Sequence, residues 1–182
     1  MMELELFLQK MKGTPTHLPR VSSSEILWSW IGSFLGIAAV GYLNYILLEG
    51  LAAGLMIGSF GASAVLVYGA LKSPLAQPRN LIGGHILSGF IGVACYQLFP
   101  SCLWIAAALA VATSIALMHW TKTLHPPGGA TALIAVIGGE RVHYLGFLYP
   151  LIPAGLGAVV MLAIALLVNN IPKNRRYPEF WI

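Results

Sequence analysis

The sequence predicts an all-α integral membrane protein, because it is rich in apolar residues, poor in charge and built from long, uninterrupted apolar runs. Of its 182 residues, 58% are hydrophobic and only 9% are charged, and its mean hydropathy is +0.80. A soluble domain carries about 25% charged residues to cover its surface. In a helix, about 20 apolar residues match a hydrocarbon core of about 30 Å, and continuous runs favour helices over a barrel.

Charges, prolines and glycines divide the apolar part of the chain into six segments, which predict a compact helical bundle. The segments cover approximately residues 26–48, 51–71, 81–99, 103–120, 127–137 and 147–168. They predict a leader over residues 1–24, a transmembrane domain over residues 25–171 and a tail over residues 172–182. The leader lacks the basic-then-apolar order of a signal peptide, so we interpret it as a short interfacial segment in the cytoplasm.

The lysines and arginines predict the orientation of the bundle. If all six segments cross the membrane, Arg141 falls on one side and every other lysine and arginine on the opposite side. If the second and fifth segments re-enter instead, Lys72, Arg79 and Lys122 move to the side of Arg141. The positive-inside rule favours six crossings with both termini in the cytoplasm, as in a bacterial plasma membrane. The net charge of +4 then reflects topology and lipid contact rather than nucleic-acid binding.

A short internal similarity predicts two inverted repeats of three segments each. Gly61–Leu66 in the second segment resembles Gly129–Ile134 in the fifth. An odd number of crossings in each half places the two halves in opposite orientations, as in many secondary transporters with mid-membrane sites on broken helices. The alternative is chance or packing, because small residues are common where membrane helices meet.

The stretch from His125 to Thr131 predicts a half helix in the fifth segment. Pro126 and Pro127 suit the first turn of a helix, and an extended approach from Lys122 covers about 16 Å, enough to reach mid-bilayer. A helix N-terminus at that depth is a candidate anion site. The candidate solute-binding residues here are Gly128, Gly129, Ala130 and Thr131. The alternative is a proline-kinked spanning helix whose glycines only permit close packing.

The second segment repeats this pattern with a break near Gly58. Its candidate solute-binding residues are Ser59, Phe60, Gly61, Ala62 and Ser63, and here too packing is the alternative. In the loop that follows, Arg79 and Asn80 are candidates to attract or gate an anion at the inner mouth, unless they serve as a positive-inside anchor and a helix cap.

Two histidines are candidates to carry a coupled proton. His85 lies just inside the third segment, and His125 precedes the prolines of the fifth. Ionisable groups at membrane depth tend to line cavities or proton paths, and histidine titrates near neutral pH. The spacing of the histidines matches no metal or haem motif, so we expect no metal and no cofactor. Because the sequence contains no nucleophilic triad, phosphate loop or carboxylate pair, we expect no enzyme.

Four ordered motifs resemble the HPP family of membrane proteins, named for the tripeptide His125-Pro126-Pro127. The motifs are Gly58–Ala64, Ser73–Asn80, Gly83–His85 and His125–Ala130, and the resemblance extends over about residues 28–171. It implies four membrane helices rather than six crossings. Because cyanobacterial and chloroplast-envelope members are associated with nitrite transport, it also implies nitrite as the first candidate substrate and a cyanobacterial source.

These observations predict a small-anion transporter that binds nitrite at mid-membrane between the half-helix N-termini. Two other classes stay open at this stage. The first is a membrane scaffold or partner subunit whose small residues serve only packing, and the second is an intramembrane haem or redox protein. Assembly into a homo-oligomer is also left open by the sequence.

Overall fold

The protein folds as a bundle of helices. The computed structural model describes residues 2–13, 20–48 and 57–182, and in those ranges every regular element is a helix or a helical turn. In chain order the helices are α1 Met2–Met11, α2 Ser23–Leu48, α3 Ser59–Gly69, α4 Pro78–Leu98, α5 Leu103–Trp120, α6 Pro126–Ile137, α7 Glu140–Leu145 and α8 Pro150–Val168. The last five residues of α3 are wound as a π-helix, and two 3₁₀ turns cover Pro74–Ala76 and Gly146–Leu148.

The six predicted hydrophobic segments correspond to α2, α3, α4, α5, α6 and α8, which confirms an all-α membrane bundle. In the described ranges four of them, α2, α4, α5 and α8, are long and apolar enough to cross a bilayer. The 12 residues of α6 reach about 18 Å as a helix, well short of a core of about 30 Å. Long, short and long helices therefore follow one another twice, with broken segments where the sequence predicted them.

Some details differ from the sequence prediction. Helix α2 begins at Ser23, and a first helix, α1, occupies part of the predicted leader. The beginning of the second segment, residues 51–56, lies outside the described residues. A third break was not predicted: Ile152, with φ −134° and ψ 105°, interrupts the first turns of α8 just before Pro153. A proline there removes a helical N–H, and this is the signal that sequence reasoning missed.

Helix α4 lies at the centre of the bundle and packs most closely on α6. A Cβ built on Gly92 would lie 2.5 Å from the carbonyl oxygen of Ala132, so only glycine allows this approach of the two backbones. On the other side of the bundle, the Tyr68 ring of α3 fills a groove in α2. A Cβ on Gly36 would collide with the Tyr68 hydroxyl, which donates a hydrogen bond to the Met161 carbonyl at 2.9 Å.

The predicted tail folds back onto the loop side of the bundle. Arg175 donates to the Tyr68 carbonyl at 2.5 Å and forms an ion pair with Glu25 at 3.1 Å. Burial lowers the pKa of Arg175, and Glu25 opposes that shift. The Tyr177 hydroxyl donates to the Ala76 carbonyl at 2.8 Å. Burial raises the pKa of the Tyr177 phenol. The tail therefore holds the turn that precedes α4.

Candidate functional site between two half helices

Five polar side chains from three helices gather in the interior of the bundle. Ser59 and Ser63 come from α3, His85 from α4, His125 from the N-cap of α6 and Thr131 from its second turn. Ser59 is 1% exposed and the other four are 0% exposed. All five were candidate site residues in the sequence, and the structure brings them into direct contact. We call them the polar cluster.

One continuous hydrogen-bond chain joins the polar cluster. The hydroxyl of Ser59 lies 2.9 Å from that of Thr131, and Thr131 Oγ1 lies 2.7 Å from Nδ1 of His85. On the other side of this ring, Nε2 of His85 lies 2.8 Å from Ser63 Oγ. The same oxygen lies 2.9 Å from Nε2 of His125, whose Nδ1 reaches the Leu75 carbonyl at 2.8 Å. Both ring nitrogens of both histidines are therefore engaged.

The two half helices α3 and α6 lie side by side and run in opposite directions. Ser59, at the start of α3, pairs with Thr131, whereas Ser63, one turn later, pairs with His125 at the start of α6. Moving forward along one helix thus means moving backward along the other. Opposite orientation of the two short helices is what the inverted-repeat interpretation requires.

His85 bridges equivalent positions of the two repeats. Ser63 is the third residue of Gly61-Ala62-Ser63-Ala64, and Thr131 is the third residue of Gly129-Ala130-Thr131-Ala132. The single imidazole of α4 contacts Ser63 through Nε2 and Thr131 through Nδ1. These motif positions therefore carry buried hydroxyls with a shared partner, which small residues used only for packing do not need.

Aromatic side chains enclose the polar cluster. The rings of Phe60 and His85 form a T-shaped pair with centroids 5.2 Å apart, and the rings of His85 and His125 form another at 5.2 Å. The hydroxyl of Tyr149, from the turn before α8, donates to the Thr131 carbonyl at 3.0 Å. Tyr149 was not a candidate in the sequence. It lies in the sixth segment, away from every motif, so no local signal could have identified it.

The loop side of the polar cluster is covered by the Pro74–Ala76 turn. This turn supplies the Leu75 carbonyl that accepts from His125. The predicted gating residues lie beside it and bond to the backbone that leads into α6. Arg79 donates to the Thr121 carbonyl at 2.6 Å and Asn80 to the Leu124 carbonyl at 2.8 Å. In this structure both residues hold the approach to His125 in place, and neither side chain bonds to the polar cluster.

The half-helix N-termini do not provide the open donors that the sequence led us to expect. In α6, Pro126 and Pro127 have no N–H, and the Gly128 N–H bonds to the His125 carbonyl at 2.7 Å. In α3, the N–H groups of Phe60 and Gly61 bond to backbone carbonyls three residues earlier at 3.0 and 3.2 Å. In these tight first turns the N–H groups bond to carbonyls three residues earlier, whereas the first N–H groups of a regular α-helix have no partner within the helix. The available donors are instead the side chains of the polar cluster.

The remaining candidate residues do not face the polar cluster. Gly61 and Ala62 lie on the exposed side of α3. Gly128 is packed tightly, because an added Cβ would lie 2.8 Å from the Gly84 carbonyl oxygen. Gly129 and Ala130 line an apolar groove of about 520 Å³ between α5 and α6. The motif residues thus divide between the polar cluster, close helix packing and the outer surface.

The chemistry available to the polar cluster is that of neutral hydrogen bonding and proton transfer. Within residues 2–13, 20–48 and 57–182, no three His, Cys, Asp or Glu side chains come together as a metal site would require. The hydrogen-bond partners described for the two imidazoles are hydroxyls and one carbonyl. Such a set can donate to a small solute, accept from it or transfer a proton to it.

Comparison with known proteins identifies the family. The sequence model of the HPP transmembrane region matches residues 18–178. Two proteins of Dictyostelium discoideum, each named only as a transmembrane protein, are 44% identical over 178 residues and 46% identical over 174 residues. The alignments cover 96% and 93% of this chain but 57% and 60% of the relatives, so the chain spans less than two thirds of their length. No solved structure matches the chain. The chain belongs to the HPP family of membrane proteins.

Proposed function

We propose that this protein transports a small anion across the membrane and that the polar cluster is its binding site. The observation that carries the proposal is the buried hydrogen-bond chain between two antiparallel half helices. Buried polar groups are costly in lipid and mark solute or proton paths. A bundle held together by packing alone would fill this interior with apolar side chains, as it does around Val67 and Ala132.

The number of hydrogen-bond donors in the polar cluster suits a small solute. Its donors are the hydroxyls of Ser63 and Thr131 and the N–H groups of the two imidazoles, which three successive hydrogen bonds join. An anion of a few atoms can replace the bonds between these side chains with bonds to itself, so no donor stays unsatisfied. Because these residues are 0% exposed in the closed bundle, entry of the solute requires the half helices to move, as in alternating access.

Nitrite is the first candidate among such anions. Support for nitrite comes from the family resemblance, because hydrogen-bond donors alone also suit nitrate, formate, bicarbonate and chloride. In this proposal the protein is a transporter rather than an enzyme, and its partners are the anion and the surrounding lipid.

The proposed orientation has both termini in the cytoplasm, supported by the basic residues on the loop side. The listed relatives come from Dictyostelium discoideum, so a bacterial or cyanobacterial plasma membrane stays a prediction from the sequence.

Flux into proteoliposomes tests the proposal. Purified protein is reconstituted, and uptake of each of the five anions is measured against vesicles without protein. Ser63→Ala removes a hydroxyl from the polar cluster, whereas Ser114→Ala removes an equally buried hydroxyl of α5 that has no hydrogen-bond partner. We expect Ser63→Ala to lower the uptake rate by about tenfold, the cost of one buried hydrogen bond, and Ser114→Ala to leave it unchanged. If no anion enters faster than into empty vesicles, the proposal is wrong.

A further inference from the structure

We infer that the polar cluster is a proton relay of defined polarity and that one proton accompanies each anion, which makes transport electroneutral. The relay follows from hydrogen-bond geometry alone. The pairing of proton and anion rests in addition on the proposed function.

In the neutral state the Leu75 carbonyl determines the direction of the bonds that join His125 to Thr131. A carbonyl can only accept, so Nδ1 of His125 carries a proton and donates to Leu75. In the neutral ring Nε2 is then an acceptor, and Ser63 must donate to it. The Ser63 oxygen is left to accept from Nε2–H of His85. Neutral His85 therefore accepts at Nδ1 from the Thr131 hydroxyl, so in this state Thr131 does not donate to Ser59 or to the Pro127 carbonyl. The two histidines hold opposite tautomers.

The same atoms also accommodate one added proton. If His125 is protonated on both nitrogens, Nε2–H donates to Ser63, and the Ser63 hydroxyl turns to donate to Nε2 of His85. His85 then carries its proton on Nδ1 and donates to Thr131, which donates onward to the Pro127 carbonyl at 3.2 Å or to Ser59 at 2.9 Å. The bonds from Nε2 of His125 to Thr131 reverse, the bond from Nδ1 of His125 to Leu75 does not, and the heavy atoms keep their positions. The geometry thus serves both states, as a relay requires.

Charge balance links the proton to the anion. The groups described around the two imidazoles are hydroxyls, the Leu75 carbonyl and the Phe60 ring, and none carries a charge. The nearby cation Arg79 bonds to the Thr121 carbonyl instead. A lone anion in this apolar interior would be uncompensated, which is strongly unfavourable. A proton held by His85 or His125 provides the compensation, so the pair crosses without net charge.

The turn over His125 controls where the proton leaves. A backbone carbonyl is too weak a base to take the proton from Nδ1 of His125, so the proton stops there while the Pro74–Ala76 turn is in place. When the turn moves and water replaces the Leu75 carbonyl, one proton passes from Nδ1 to that water, and one proton has entered at the Ser59 end. After this step both rings hold the reverse tautomers, His125 with its proton on Nε2 and His85 with its proton on Nδ1.

Flux under defined gradients tests the coupling. With potassium and valinomycin to set the voltage, we expect anion uptake to be insensitive to membrane potential and a gradient of about one pH unit to drive about tenfold accumulation. Empty vesicles correct for passive entry of nitrous acid. Thr131→Val removes the hydroxyl at nearly constant volume and should lower pH-driven uptake by about tenfold, whereas Thr131→Ser restores it relative to Val. Uptake that responds to voltage and ignores the pH gradient overturns the inference while leaving the proposed function intact.

The relay is also testable when no anion is transported. Nitrogen-15 NMR of histidine-labelled protein in lipid distinguishes the two neutral tautomers, and spectra of His85→Gln and His125→Gln assign the signals. We expect His85 protonated on Nε2 and His125 protonated on Nδ1. Identical tautomers on the two rings would overturn the relay. An absence of anion flux with the expected tautomers would overturn the proposed function and the coupling, and leave the relay standing.

Discussion

Gly128 and Gly129, which follow the His-Pro-Pro tripeptide, offer a test of packing. The two glycines are adjacent, but Gly128 is tightly packed against other helices and Gly129 is not. A Cβ on Gly128 would lie 2.8 Å from both the Gly84 carbonyl oxygen and Ser88 Oγ, and 3.0 Å from the Met118 sulfur. A Cβ on Gly129 would meet only Val111, at 3.8 Å, which is an ordinary van der Waals contact. We therefore compare Gly128→Ala with Gly129→Ala.

The expected difference in stability follows from these distances. Both substitutions gain about 1 kcal/mol of helix propensity, so this effect cancels in the comparison. The Ser88 and Met118 side chains can adjust, but the Gly84 oxygen belongs to the backbone of α4 and can retreat only if the two helices separate. Overpacking of this kind costs about 1–3 kcal/mol. Gly128→Ala should therefore be less stable than Gly129→Ala by about 1–3 kcal/mol.

The assay is thermal unfolding in detergent, followed as the loss of the monodisperse size-exclusion peak after heating. For a chain of this size a difference of about 1–3 kcal/mol corresponds to a melting temperature lower by about 2–12 °C. Anion flux is measured in parallel, since Gly129 faces the groove beside α5 and not the polar cluster. Equal melting temperatures for the two variants would show that α4 and α6 are not packed as described.

Three further predictions concern the tail, α2 and α3. Tyr177→Phe removes the hydrogen bond to the Ala76 carbonyl and should lower the free energy of unfolding by about 0.5–1.5 kcal/mol. We expect faster hydrogen exchange in the Pro74–Ala76 turn, and unchanged exchange there would mean that the tail does not hold the turn. Glu25→Gln leaves the buried guanidinium of Arg175 without its ion-pair partner and should lower the free energy of unfolding by about 1–3 kcal/mol. A melting temperature equal to that of the wild type would contradict this prediction. Gly36→Ala places a methyl group against the Tyr68 ring and should lower the free energy of unfolding by about 1–3 kcal/mol. Gly61→Ala, whose added Cβ has nothing within 4 Å, should leave it unchanged. Similar losses of stability for both variants would refute the described fit of α2 on α3.

Helix boundaries were predictable where local chemistry determines them. Prolines at the start of α6 predicted its beginning to within one residue, and α5 has the predicted ends. The break in α8 was missed, because Pro150 and Pro153 fit either an ordinary helix start or an interruption. Only the packing against α4 distinguishes these two outcomes.

The five residues of the polar cluster could be selected as candidates from the sequence, but the contacts between them could not. Ser59, Ser63, His85, His125 and Thr131 were each notable as polar groups at membrane depth. Their bonds join residues 22 to 72 positions apart, so they depend on helix packing that local sequence does not encode. The expectation of open donors at the helix tips was wrong for a related reason, since each first turn closes on its own carbonyls. The contribution of the Leu75 backbone leaves no side-chain signal at all.

The opposed directions of α3 and α6 have an electrical consequence. Each helix carries a macrodipole equivalent to about half a charge at either end, and in this pair the two macrodipoles point in opposite senses. Side by side they attract each other and largely cancel at a distance. A voltage across the bilayer therefore exerts little net torque on the pair as a unit.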